Sequence, residues 1–83
     1  MKTEYDRRAD AAYFAFSSAD PVRQVKLDDS RIIDHAADGS LVGAEILSPS
    51  RGVDRTGLPR VDEIAGGIRA LGAERSARTA TPR

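Results

Sequence analysis

No cysteine occurs among the 83 residues. That excludes disulfides and thiolate zinc sites, and it suits a reducing compartment. The one histidine, His35, cannot build an imidazole metal cage alone. Tryptophan is absent, and the aromatics are only two Tyr and two Phe, so any core is short of large side chains. No apolar run approaches the roughly 18 residues of a membrane span, and Met1-Lys2-Thr3-Glu4 does not start a signal peptide. Glycine-rich phosphate loops, metal-ligand spacings and nucleophile elbows are missing too. The expectation is a cytoplasmic chain that needs no cofactor, no metal and no membrane.

Charge is balanced overall but uneven along the chain. Residues 1–50 carry six Lys/Arg against nine Asp/Glu, and residues 51–83 carry seven Arg against four Asp/Glu. The front is therefore net −3 and the back net +3. An acidic front argues against a nucleic-acid surface there. The back half has no aromatic residue on which a base could stack.

Short alternating runs predict strands at 2–5, 11–16, 23–27, 31–36 and 41–47. Asp6, Asp10, Asp38 and Gly39 supply turn chemistry between them. In the third run Val25 and Leu27 are expected to face inward. The reading is α+β, mainly β: an antiparallel five-stranded meander domain over residues 1–48, then one short C-terminal helix. Residues 49–59, with two Pro, two Gly and a Ser, read as a linker. Val61, Ile64, Ala65, Ile68 and Leu71 recur at helical spacing, so residues 60–72 form a short amphipathic helix. Pro59 suits its first turn and Gly72 its stop. Gly66-Gly67 in its middle costs about 1 kcal/mol per Gly relative to Ala. Such a helix is marginal alone, so Val61, Ile64, Ile68, Leu71 and Arg69 are candidate partner-binding residues. Residues 73–83 read as a disordered tail.

Asp34 and Glu45 are the candidate chemistry, because each interrupts an otherwise apolar strand and a carboxylate there needs a partner. Two registers of the hairpin at Asp38-Gly39 give them different neighbours. A two-residue loop sets Asp34 opposite Gly43 and Ile32 opposite Glu45, making Asp34 and Glu45 diagonal neighbours on one face. A three-residue loop, Ala37-Asp38-Gly39, sets Arg31 opposite Glu45 and yields a cross-strand ion pair. Ala-Asp-Gly suits the three-residue turn, and that register is the expected one. Gly43 marks a bulge or a close backbone approach in either case.

Tyr5-Asp6, Ala9-Asp10-Ala11 and Tyr13, then Asp34, Asp38-Gly39, Leu41-Val42-Gly43 and Glu45-Ile46-Leu47, give the first fifty residues a recognisable spacing. This stretch resembles a small bacterial family, the domain of unknown function numbered 2283. The family tends to carry a large apolar residue where Ala12 stands and a polar one where Ala15 stands. It has no established activity or catalytic residue, so the resemblance assigns none here. Some members lie beside small RNase-type toxins, as antitoxins do, and the resemblance implies a role of that kind. Small size and unpaired strand edges point to a homo-oligomer, a dimer foremost. The functional expectation is a non-enzymatic protein-binding or oligomerisation module. Its rival is a small acid-base enzyme or ligand binder using Asp34 and Glu45, with His35 as a further candidate, in a cleft between subunits.

Overall fold

The computed structural model describes residues 1–72. The tail expected over 73–83 lies outside the described residues. Five strands form one antiparallel sheet: β1 (Lys2–Asp6), β2 (Ala11–Ala15), β3 (Arg23–Asp28), β4 (Arg31–His35) and β5 (Leu41–Leu47). A one-turn 3-10 helix (Pro49–Arg51) and a single α-helix, α1 (Val61–Leu71), follow.

The strand order is β1-β2-β5-β4-β3, so the sheet is not a sequential meander throughout. β3, β4 and β5 form a meander, but β5 returns to pair with β2 and leaves β3 at an edge. Apolar content explains the order. β5 carries Val42, Ala44 and Ile46, all buried, and suits a central place between two neighbours. β3 alternates Gln24 and Lys26 with its apolar residues, and every residue in it is exposed. Val25 and Leu27, expected to face inward, are 39% and 38% exposed, because α1 packs on the β1-β2 half of the sheet and does not reach them.

One face of the sheet is covered. Ala12, Phe14, Ile33, Ala44 and Ile46 meet Ile64 and Ile68 of α1 and Leu58 in one core. Leu58 belongs to the segment expected as a linker, and Val53 from the same segment packs beside the core. Gly72, in the left-handed region at φ 70°, ends α1 by donating its N–H to the carbonyls of Ile68 and Arg69. Arg60, just before the helix, pairs with Glu63 and stacks on Phe16 at 4.5 Å.

The two mid-helix glycines differ in purpose. A Cβ on Gly67 would stand 2.7 Å from Phe14 Cε1 and 3.3 Å from Thr3 Cγ2, so this glycine lets the helix rest on the aromatic ring. At Gly66 the nearest atom would be the end of Arg69, 3.9 Å away. Gly66→Ala is therefore expected to stabilise the chain by up to about 1 kcal/mol through helix propensity. Gly67→Ala is expected to destabilise it, because Phe14 is fully buried and has nowhere to move. Thermal melts of the two variants, shifting in opposite directions, check the assignment.

Candidate binding face

The hairpin joining β4 and β5 combines features of both expected registers. The loop is the three-residue one: Ala36 N–H donates to Ser40 O, Gly39 N–H donates to Ala36 O, and Gly39 lies at φ 89°. Asp38 tightens it by accepting from the amide and hydroxyl of Ser40. His35 stands opposite Leu41, but the next pair is Asp34 with Gly43, so Val42 is an extra residue in β5. Its carbonyl accepts from Phe16 N–H at 2.7 Å and Ser17 N–H at 3.3 Å. This bulge restores the register of the two-residue loop beyond it. Ile32 faces Glu45, and Arg31 faces Ile46. The expected Arg31–Glu45 cross-strand pair does not form, because the bulge absorbs the extra loop residue.

Asp34 and Glu45 consequently share the sheet face that α1 does not cover. Glu45 is flanked by Tyr13 on β2 and Ile32 on β4; Asp34 is flanked by Gly43 and, on β3, by Gln24. Tyr13 leans across Gly43 and donates its hydroxyl to Asp34 Oδ2 at 3.1 Å. That approach needs a glycine: a Cβ at 43 would overlap the phenol oxygen and Cζ and stand 2.8 Å from Phe14 O. Asp34 is 7% exposed, and its Oδ1 is buried without a hydrogen-bond partner among the described residues. Burial pushes the Tyr13 hydroxyl up to about 12, and the Asp34 hydrogen bond and the charges of Asp34, Glu45 and Glu4 push the same way. The phenol therefore stays protonated at neutral pH and serves Asp34 as a donor. Strand spacing alone does not bring Tyr13 to Asp34, because that contact needs both the β2–β5 pairing and the bulged register of β4 on β5.

Arg31 is a buried clamp. Its Nε donates to Asp28 Oδ2 at 3.0 Å, its Nη1 donates to the carbonyls of Asp54 and Thr56, and its Nη2 meets Asp28 at 3.0 Å and Asp54 at 3.7 Å. Nη1 and Nη2 hold the 52–57 loop against the sheet through Asp54 and Thr56, while Nε and Nη2 tie β4 to Asp28 at the end of β3. Asp10 is a second tie. In the left-handed region at φ 52°, it accepts from Tyr5 Oη at 2.8 Å and from the Ser50 hydroxyl. Burial opposes its ionisation, but the bonds from Ser50 and Tyr5 outweigh it and hold the carboxyl below the ordinary range. Asp6 accepts from the amides of Arg8 and Ala9 in the β1–β2 turn.

The helix stripe offered as partner-binding instead closes the chain's own core. Ile64 and Ile68 are fully buried there, and Val61 and Leu71 pack at its margin. Arg69 is exposed near the helix end. Among the described residues no cluster of His, Cys, Asp and Glu can hold a metal ion, and no helix is long and apolar enough to cross a membrane.

No curated protein and no solved structure matches the chain. Residues 2–50, more than half of its length, match the family model described as a protein of unknown function (DUF2283). The two tyrosine–aspartate bonds and the bulged hairpin all lie inside that stretch, and the chain belongs to the DUF2283 family.

Proposed function

We propose that the chain is a non-enzymatic protein-binding module that presents the uncovered sheet face to a partner. The observation that carries this reading is one-sided packing. The core cluster takes one face of the sheet, while Ala11, Tyr13, Ala15, Ile32 and Leu47 on the other are only half-buried. No helix or strand among the described residues lies over them. A half-apolar face bordered by charged residues has the composition of a protein interface. The acid-base alternative finds less support, since Asp34 is capped by a phenol that does not ionise near neutrality.

Ile32→Asp and Leu47→Asp place charge on this face without touching the helix side. Wild-type chain is expected to sediment above its 8.9 kDa mass, or to capture a partner from its native host. Either signal should fall at least about tenfold in both variants, a loss of about 1.4 kcal/mol, while circular dichroism stays unchanged. A monomer over a wide dilution range, with capture indifferent to both substitutions, overturns the reading.

A further inference from the structure

Building on that reading of the face as an interface, we propose that its occupant is a basic polypeptide segment, an arginine or lysine of which settles between Asp34 and Glu45. Two independent observations point there. The first is charge. Glu45, Glu4 and Asp6 share the face with Asp34, and no cation among the described residues lies within ion-pair distance of Asp34 or Glu45. Of the two lysines on this face, Lys2 lies 3.9 Å from Glu4 and offsets that acid, and Lys26 lies 3.9 Å from Asp29, so neither serves Asp34 or Glu45. The second is the unsatisfied oxygen. Asp34 is more than nine-tenths buried, yet its Oδ1 has no donor. A buried acceptor without a donor is costly, and a charged donor relieves more of that cost than a neutral one.

The geometry suits a single cationic side chain. Asp34 and Glu45 are diagonal cross-strand neighbours, whose Cα atoms stand about 7–8 Å apart in an antiparallel sheet. A guanidinium fits that gap with one edge toward each carboxylate. The Tyr13 ring beside them offers an aromatic face for the same cation. Oδ1 is shut from solvent in the free chain, so seating the donor requires the side chains around Asp34 to give way while Tyr13 keeps its bond to Oδ2. A second copy of the chain fits less well, because it would set acidic rows against acidic rows.

The test uses the full chain, isotopically labelled, titrated with a short arginine–glycine repeat peptide in low salt. Amide shifts are expected to concentrate at Tyr13, Asp34, Gly43 and Glu45. Binding should weaken at least about tenfold in Glu45→Gln and in Asp34→Asn, and should fall with added salt. Asparagine can still accept from Tyr13; should Asp34→Asn nevertheless unfold, the more exposed Glu45→Gln decides alone. Shifts centred on Asp28 and Asp54, equal shifts with a glutamate–glycine peptide, or no shifts overturn the inference. If the peptide fails but Ile32→Asp abolishes self-association, the occupant is a second copy: this inference falls and the interface reading stands.

Discussion

Gly43→Ala is expected to lower the stability of the chain by about 2–4 kcal/mol, a fall in thermal midpoint of roughly 8–30 °C for a domain of this size. Alanine has a higher strand preference than glycine, so local propensity predicts a small gain of about 0.5–1 kcal/mol. Space decides otherwise. The new Cβ overlaps the Tyr13 phenol and sits 2.8 Å from the backbone oxygen of Phe14. The phenol can rotate away, but it then abandons Asp34 Oδ2. Both oxygens of a buried carboxylate would be left without a donor, at about 1–3 kcal/mol. The Phe14 oxygen lies in the β2 backbone and yields only by shifting a strand. A double-mutant cycle with Tyr13→Ala separates the contributions. If the ring dominates, the double variant loses much less than the sum of the singles. If the backbone clash dominates, the losses add. A Gly43→Ala melt within about 0.5 kcal/mol of wild type would contradict the close approach itself.

Much of the fold was legible in the order of residues, and what was missed has a physical pattern. Alternation of Ala12, Phe14 and Phe16 with Ala11, Tyr13 and Ala15 marks a strand because the side-chain period is two. Asp and Gly mark the turns because they tolerate the local backbone. Neither signal says which strands are neighbours. The pairing of β2 with β5 follows from the competition for central places, settled by the burial of Val42, Ala44 and Ile46 and the polarity of β3. The loop at Ala37-Asp38-Gly39 was legible from turn chemistry, but a bulge one residue into β5 reversed its consequence for register. Nothing in the composition around Val42 announces a bulge, which sets its carbonyl where both Phe16 and Ser17 donate to it. Asp34 and Glu45 could be singled out as misplaced acids, while the partner of Asp34 depended on that one-residue shift. A glycine inside a strand, as Gly43 is, marks a bulge or a close approach, and the structure has the bulge beside it and the phenol across it. The helix stripe was legible as a stripe, but periodicity does not say whether it meets its own sheet or another protein.

Replacing Arg31 with methionine is expected to cost about 3 kcal/mol and to free the 52–57 loop before the sheet melts. Methionine keeps much of the aliphatic bulk, so the loss isolates the guanidinium. Arg31 is 8% exposed and binds two carbonyls and two carboxylates. Asp28 and Asp54 are far more exposed than Arg31 and regain water when it is removed, so the cost stays at the lower end for a broken buried ion pair. Hydrogen exchange should report the loop first: the Leu58 amide, which donates to Arg55 O, loses protection at lower denaturant than the amides of β5. The pH dependence gives a second readout. The Arg31 hydrogen bond, then the Ser30 amide, hold the Asp28 carboxyl below its ordinary value of 3.8. The Thr56 amide and hydroxyl hold Asp54 down, with a smaller contribution from Arg31. Carboxyls depressed in the folded state stabilise it fully above the unfolded value. That contribution is lost as pH falls through 3.8 and then through the lower folded values. Wild type should therefore lose stability steeply on acidification, and Arg31→Met should lose it less steeply, because Asp28 would no longer be held down by a cation. Parallel acid profiles for the two proteins would show that Arg31 does not set the Asp28 charge. A methionine variant as stable as wild type at neutral pH would show that the loop is held by Leu58 and Val53 alone.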